Sequence, residues 1–126
     1  MKTILLIFTG GGAGSLLRFF ISKWVNHHVT NQFPAGTLLV NMLACFFVGL
    51  LIGLAEYKNI LSTDMSVFWI AGFCGGFSTF SAFSYESVRL GQTNQYFMMM
   101  IYVAVSITFS MVLLLAGLYV AKRLAG

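Results

Sequence analysis

Four long apolar runs occupy most of this 126-residue chain. They cover residues 3–25, 36–56, 65–88 and 95–121, and short polar connections separate them. A helix needs roughly 20 predominantly apolar residues to cross a bilayer, so each run is long enough to span it. The pattern predicts an all-α membrane protein with four transmembrane helices in a single domain, residues 1–126.

Composition agrees with burial of these runs in lipid. Only 8% of the residues are charged and 59% are hydrophobic, whereas soluble domains carry about 25% charged residues. Met1-Lys2 followed by apolar residues could begin a signal peptide, but the run continues to Arg18 without an Ala-x-Ala-like cleavage site. We therefore expect the first run to be retained as the first spanning helix.

The third run differs from the others because Gly75–Ser81, near its middle, is rich in glycine and hydroxyl residues. Each glycine lowers helix propensity by about 1 kcal/mol relative to alanine, and Ser and Thr offer competing hydrogen bonds. We expect a break in this helix, which a membrane tolerates only inside protein or against a cavity. Its carbonyls could hold a cation, or the resumed helix could present its N-terminus to an anion.

Positive charge is nearly balanced between the two ends of the predicted helices, although orientation normally follows an excess of Lys and Arg on the cytoplasmic side. Two interpretations stay open: a weak bias with cytoplasmic termini, or dual topology, in which the same chain inserts both ways and pairs antiparallel. The basic residues on the side of the termini are Lys2, Lys58, Lys122 and Arg123, and those on the other side are Arg18, Lys23 and Arg89.

Small residues spaced four apart predict close contacts between helices in lipid. Four helices alone make a thin bundle with little interior for a polar pathway, so we also expect the chain to form an oligomer. The pairs of small residues are Gly10 and Gly14, Gly49 and Gly53, and Gly72 and Gly76.

Polar side chains inside the runs are expensive in a membrane and are therefore functional candidates. Arg18 lies near the far end of the first helix, where it could extend to the interface. Thr37 can cap the start of the second helix, but Asn41 has no such structural reason. Cys45 and Cys74 both fall mid-helix, and we interpret them as small buried residues.

Two further sets of side chains share helix faces at spacings of three or four. The serines of the fourth run could instead bond to the preceding turn of their own helix, and phenylalanines in such a protein usually contact lipid. Rings presented edge-on beside hydroxyl donors would suit a small dehydrated anion. The two sets are Tyr102, Ser106 and Ser110 in the fourth run, and Phe80, Phe83 and Ser84 in the third.

Three motifs carry a resemblance to a known family. They are GGGAGSLLRF at residues 10–19, PAGTLLVN at residues 34–41 and GFCGGFSTFSAFSYE at residues 72–86. In this order and spacing they resemble the glycine-rich first helix, the Pro-x-Gly-Thr-Leu-x-Val-Asn motif and the third-helix signature of the Fluc (CrcB) family of bacterial fluoride channels. The resemblance extends along nearly the whole chain.

The resemblance implies a dual-topology antiparallel homodimer with two fluoride pores in the bacterial inner membrane. Such a channel passively exports fluoride and lowers its cytoplasmic concentration; it is not an enzyme and binds no nucleic acid. Its expected partners are fluoride, a second copy of the chain and the lipid bilayer. The positions that match the fluoride pore are Asn41, Phe80, Ser81, Phe83, Ser84, Tyr102, Ser106 and Ser110.

The resemblance also implies two vestibule residues, Arg18 and Glu86, and one cofactor, a structural sodium ion at the dimer centre. The backbone carbonyls of Gly75 and Ser78 match the positions that hold this ion. Two residues depart from the family pattern, because Ala82 and Leu114 stand where threonine is common. We expect these departures to affect the rate of conduction rather than to abolish it.

Other functions fit the residues less well. A proton-coupled exporter would need a carboxylate within the membrane, and the first run has none. A purely structural subunit would leave the hydroxyl ladder and the Phe80–Phe83 pair unexplained. An enzyme would need a nucleophile–base pair or a metal-ligand cluster, and His27 and His28 are simply adjacent in a predicted connection.

Overall fold

The protein is an all-helical bundle with four segments long and apolar enough to cross a membrane, which confirms the predicted fold class at this level. The computed structural model describes residues 1–29 and 32–126. The first, second and fourth segments are the helices α1 (Lys2–His28), α2 (Ala35–Lys58) and α5 (Tyr96–Ala125). The third segment, Thr63–Gln92, consists of two helical parts.

The first part of the third segment, α3, comprises three consecutive helical stretches, and the second part, α4, is one regular helix. The stretches of α3 are Thr63–Ser66, the π-helical Val67–Cys74 and Gly75–Phe77, and α4 is Phe80–Gln92. Ser78 and Thr79 between them are extended, with ψ values of 156° and 114°. The predicted interruption of the third helix is therefore confirmed.

The break lies just after the glycines on which the prediction was based. Gly75 and Gly76 are helical, so their low helix propensity does not set the break. Gly76 serves close packing instead, because a Cβ atom there would collide with the backbone of Gly11 in α1. The chain leaves the helix at Ser78 and Thr79, where a side chain from α2 takes over the backbone hydrogen bonds (described below).

Glycines bring α1 and α3 into backbone contact, as their spacing predicts. A Cβ atom at Gly10 would lie 2.6 Å from the carbonyl oxygen of Phe68, and one at Gly14 would lie 2.9 Å from the amide of Phe77. Gly72 faces back toward Gly10, with 3.2 Å between its would-be Cβ and the Gly10 Cα. Larger residues would push these two helices apart.

The second close contact joins α2 and α5. A Cβ atom at Gly49 would collide with the carbonyl of Leu114, and one at Gly53 would lie 2.5 Å from the Cβ of Ala121. Gly117 of α5 faces α2 in the same way. The bundle thus consists of two tight helix pairs, and α4 lies beside α5 and the start of α2.

A small apolar core lies next to the break. Val40, Ala44 and Phe77 are almost fully buried, and Ile21 and Leu43 pack against them. Val40 immediately precedes Asn41, so this core fixes the part of α2 that faces the interrupted backbone.

Candidate functional site

Asn41 holds the break through both ends of its side-chain amide. Its Nδ2 donates to the carbonyl of Thr79 at 3.1 Å, and the Thr79 amide donates to Asn41 Oδ1 at 2.8 Å. The amide therefore replaces the helical hydrogen bonds that an extended residue cannot make. Backbone groups left without partners in lipid cost several kcal/mol, so the Asn41 side chain is what allows the interruption at this depth.

The same arrangement releases two backbone carbonyls. In an uninterrupted helix the Thr79 amide would donate to the Gly75 carbonyl, but it donates to Asn41 instead. The Ala82 amide would donate to the Ser78 carbonyl, but it donates to Thr79 Oγ1 at 3.2 Å, the cap of α4. Gly75 and Ser78, whose carbonyls the resemblance assigns to sodium, are thus among the residues that lose their helical donors at the break, and both are exposed.

These two oxygens fit the chemistry of a hard cation, which prefers uncharged or anionic oxygen ligands. Within the described residues there is no group of three His, Cys, Asp or Glu side chains that could hold a metal ion. A cation at this place would therefore depend on backbone oxygens. Hard cations usually take six or more ligands, so the two carbonyls of one chain are too few by themselves.

A cavity of about 260 Å³, the pore cavity below, opens beside the break. It brings together five of the eight residues predicted for the pore, from α2, α4 and α5. Its predicted members are Asn41, Phe80, Phe83, Ser106 and Ser110, and its other lining residues are Cys45, Ser78, Thr79 and Ile107. None of these side chains is charged, so the polar groups of the cavity are hydroxyl, thiol and amide groups.

Three aromatic rings form a continuous row, in which Phe80 and Phe83 line the cavity and Tyr102 lies behind them. The centroids of Phe80 and Phe83 lie 5.7 Å apart, and those of Phe83 and Tyr102 lie 5.3 Å apart, with the planes tilted by 41° and 45°. Tyr102 is fully buried behind Phe83, whereas 78% of the Phe80 surface is exposed in the single chain. Aromatic rings in this tilted arrangement can offer their positive edges to a negative ion.

The hydroxyl of Ser106 has no hydrogen-bond partner among the described residues, although only 7% of this residue is exposed. The alternative expectation, a bond back to the preceding helical turn, is therefore wrong for Ser106. A buried hydroxyl without a partner is costly and calls for a ligand or water. Ser110 lies one turn farther along α5 and lines the same cavity.

Glu86 lies between two helices that both donate to its carboxylate. The hydroxyl of Thr37 donates to Oε1 at 2.7 Å and that of Tyr102 donates to Oε2 at 2.8 Å. The expectation that Thr37 caps α2 is wrong, because Pro34 occupies the cap position without a side-chain bond. Thr37 instead fixes Glu86, which lines a separate cavity of about 410 Å³ together with Arg89.

Arg18 lines a third cavity, of about 340 Å³, with Lys23, Thr79 and Ala82. It lies farther from the helix end than expected, because α1 continues beyond the predicted end at residue 25 to His28. About 15 Å of helix separates the two residues at roughly 1.5 Å per residue. The Arg18 Nε atom is buried and has no partner among the described residues.

Three predicted pore residues, Tyr102, Ser81 and Ser84, do not line the pore cavity. The Ser81 hydroxyl shares a hydrogen bond of 3.2 Å with Thr79 Oγ1 at the exposed start of α4, and Ser84 is half-buried. Sequence reasoning missed Cys45 and Thr79. The spacing of four between Asn41 and Cys45 is a signal for one shared helix face, and it could have placed Cys45 in the cavity.

Together, the four segments able to span a membrane, the broken third segment and the cavity beside it define a small multi-pass membrane protein with an uncharged cavity between its helices. The chain belongs to the CrcB family: the family model described as "CrcB-like protein, Camphor Resistance (CrcB)" matches residues 5–118. This confirms the family resemblance seen in the sequence.

Two relatives show how far the similarity extends. The chain is 40% identical over 124 residues to a protein of Flavobacterium psychrophilum named "Fluoride-specific ion channel FluC". This match covers 98% of this chain and 100% of the relative. It is 44% identical over 107 residues to a protein of the same name from Azobacteroides pseudotrichonymphae, covering 85% of this chain and 86% of the relative.

These findings confirm two further predictions. The family and the four apolar helices make this chain a multi-pass bacterial membrane protein. Membership of a family whose relatives are named as ion channels also confirms that it is not an enzyme.

Proposed function

We propose that the chain forms a fluoride-selective channel. The observation that carries this proposal is the pore cavity, in which a buried, unpartnered Ser106 hydroxyl faces the same space as Phe80 and Phe83. Hydroxyl protons and ring edges together can replace part of the water shell of a small anion. Both relatives are named as fluoride-specific channels, which supports fluoride as the ion.

The predicted pore residues take different roles in this proposal. Phe80, Phe83, Ser106 and Ser110 contact the ion directly, and Asn41 holds the backbone that shapes the cavity. Tyr102 supports Phe83 from behind, while Ser81 and Ser84 line the path where a second chain completes it. Because no cavity residue is charged, the ion is held weakly enough to leave again.

The exposed break supports a dimer. Non-helical backbone within a membrane is tolerated only where protein or a cavity covers it, yet Gly75, Ser78 and Ser81 are exposed in the single chain. A second copy that covers this face removes the conflict. The nearly balanced basic residues favour an antiparallel copy, and two symmetric cavities then give two pores.

This topology can be tested with reporters fused to the C-terminus that are active on opposite sides of the membrane. Dual insertion gives comparable signals from both reporters in one cell population. A signal from a single reporter would rule out dual insertion.

The released carbonyls of Gly75 and Ser78 are the proposed ligands of a structural sodium ion. One chain offers two such oxygens, and two chains related by symmetry offer four, which approaches the number that hard cations require. The bound ion would neutralise the partial negative charge of carbonyls that lack helical partners. It therefore acts in assembly rather than in conduction.

The channel would work passively and outward. Hydrogen fluoride enters a cell uncharged and dissociates at the higher cytoplasmic pH, which traps the anion. A negative-inside potential favours exit of each charge by about 2.3 kcal/mol per 100 mV. No carboxylate lines the pore cavity, which is consistent with a channel that couples to no proton.

Fluoride efflux from liposomes that contain the purified protein tests this function. We expect rapid efflux of fluoride on addition of an ionophore that balances charge, and no efflux of chloride under the same conditions. Folded protein that releases no more fluoride than empty liposomes would refute the proposal.

A further inference from the structure

Cys45 lies in the wall of the pore cavity, although its position in the sequence suggested only a small buried residue. It is half-buried and its thiol is free. The other free cysteine, Cys74, is 2% exposed and lies outside the cavity. The two cysteines of the chain thus differ in environment, and only Cys45 faces the space that holds the proposed ion.

The hydrogen-bond donors of the cavity show why this position matters. The Asn41 amide is engaged with Thr79, and the Ser78 hydroxyl donates to the Cys74 carbonyl at 3.0 Å. The buried Ser106 hydroxyl has no partner among the described residues. Among the described residues, the cavity-lining side-chain donors without an acceptor are therefore the hydroxyls of Ser106 and Ser110 and the Cys45 thiol, a weak donor.

Cys45 and Asn41 share one face of α2 because they are four residues apart. The two hydrogen bonds between Asn41 and Thr79 fix this face relative to the break. Ser106 lines the cavity from α5. The thiol and the unpartnered hydroxyl therefore belong to one cavity wall that two helices, rather than a loop, provide. A group added to the Cys45 sulfur would therefore extend into the pore cavity.

We propose that Cys45 lines the anion path beside Ser106 and is a modification site at which thiol-directed reagents close that path. The inference rests on the proposed function for its effect on flux, but the accessibility of the thiol can be measured without it. The matching ligands are small, apolar, sulfur-reactive molecules, since the cavity is largely apolar and uncharged.

Benzyl methanethiosulfonate is a suitable probe because it is uncharged and crosses lipid. The Cys45 thiol gives its proton to water, and the sulfur attacks the sulfenyl sulfur of the reagent. A new S–S bond forms, the S–SO₂ bond breaks, and methanesulfinate leaves with the electron pair. The product carries a benzylthio group on Cys45, within a cavity of about 260 Å³.

The experiment compares fluoride efflux before and after the reagent in liposomes that contain wild type, Cys45→Ala or Cys74→Ala protein. We expect a loss of roughly tenfold or more in wild type and Cys74→Ala, because a narrow path admits no bulky group. Dithiothreitol, which removes the benzylthio group, restores efflux. Cys45→Ala keeps its own starting rate in the presence of reagent.

Mass spectrometry of the same samples identifies the labelled cysteine and separates the outcomes. Labelled Cys45 with undiminished wild-type flux, or equal inhibition of Cys45→Ala, would overturn the proposal. Folded protein whose Cys45 does not react would also overturn it. If wild-type protein conducts no fluoride before the reagent is added, the proposed function is refuted instead. In that case, preferential labelling of Cys45 over Cys74 still supports the place of Cys45 in the cavity.

Discussion

At the scale of single residues, the break in the third helix is shaped by Asn41 of α2 and not by the glycines of the third helix itself. The glycines suggested where the third helix is weak, but Asn41 decides where the backbone leaves it, through two hydrogen bonds to Thr79. This contact joins residues 38 positions apart, so local propensity could not reveal it. The polar character of Asn41 within an apolar run was the available signal.

Replacing Asn41 with Ala leaves the amide and carbonyl of Thr79 without these partners. Each unsatisfied buried group costs about 1–3 kcal/mol, so we expect a clear drop in the midpoint of thermal unfolding in detergent. Ser87→Ala is the control, since it removes only a local bond to the Phe83 carbonyl. Equal unfolding midpoints for the two variants would show that Asn41 does not stabilise the break.

Phe80→Ile tests the contact between ring and ion. Isoleucine remains apolar but has no ring edge, so fluoride efflux should fall by roughly tenfold or more, equivalent to about 1.4 kcal/mol, while the protein stays folded. Phe97→Ile is a matched control, because Phe97 is 74% exposed, similar to 78% for Phe80, and does not line the pore cavity. Unchanged efflux in Phe80→Ile would remove this ring from the path.

At the scale of helices, the sequence predicts the spans and their contacts well because both depend on local patterns. Apolar runs of more than 20 residues define the helices, and glycines four apart mark the faces on which α1 meets α3 and α2 meets α5. The positions of Arg18 and Thr37 were harder to predict, since they depend on where a helix ends and on which neighbour it meets. Glu86, the partner of Thr37, is 49 residues away.

The glycine run of α1 offers a direct test of the helix contact. A Cβ atom at Gly14 would collide with the Phe73 carbonyl, whereas one at Gly12 has no atom within 4 Å. We expect Gly14→Ala to reduce the yield of folded protein, and Gly12→Ala to be neutral or to stabilise by up to about 1 kcal/mol through helix propensity. Size-exclusion profiles and thermal unfolding compare the two. Similar behaviour would mean that α1 and α3 do not meet as described.

At the scale of the whole molecule, one chain leaves polar groups uncovered at the centre of its third apolar segment. The exposed residues Gly75, Ser78 and Ser81 lie at the centre of the Thr63–Gln92 segment, and the carbonyls of the first two lack their helical partners. The proposed second chain and shared cation would remove both problems. The four-helix pattern already indicated an oligomer, because so thin a bundle has little interior, but it gave no sign of a cation, since it describes one chain in lipid.

Removal of sodium tests the proposed role of these carbonyls. Protein is purified and reconstituted with N-methyl-D-glucamine as the only added cation. Its fluoride efflux should fall by roughly tenfold or more, because the Gly75 and Ser78 carbonyls of the two chains repel one another when no cation lies between them. Addition of sodium should restore efflux. Full activity without sodium would contradict a structural cation at this site.

The most direct test of the central claim is the reversal potential of the purified protein in a planar bilayer. With opposed tenfold gradients of fluoride and chloride, a fluoride-selective path gives a potential of about 59 mV with the sign set by fluoride. A potential near zero would indicate an unselective pore. A potential with the sign set by chloride would contradict the proposal that the Phe80–Phe83 cavity and the Ser106 hydroxyl select fluoride.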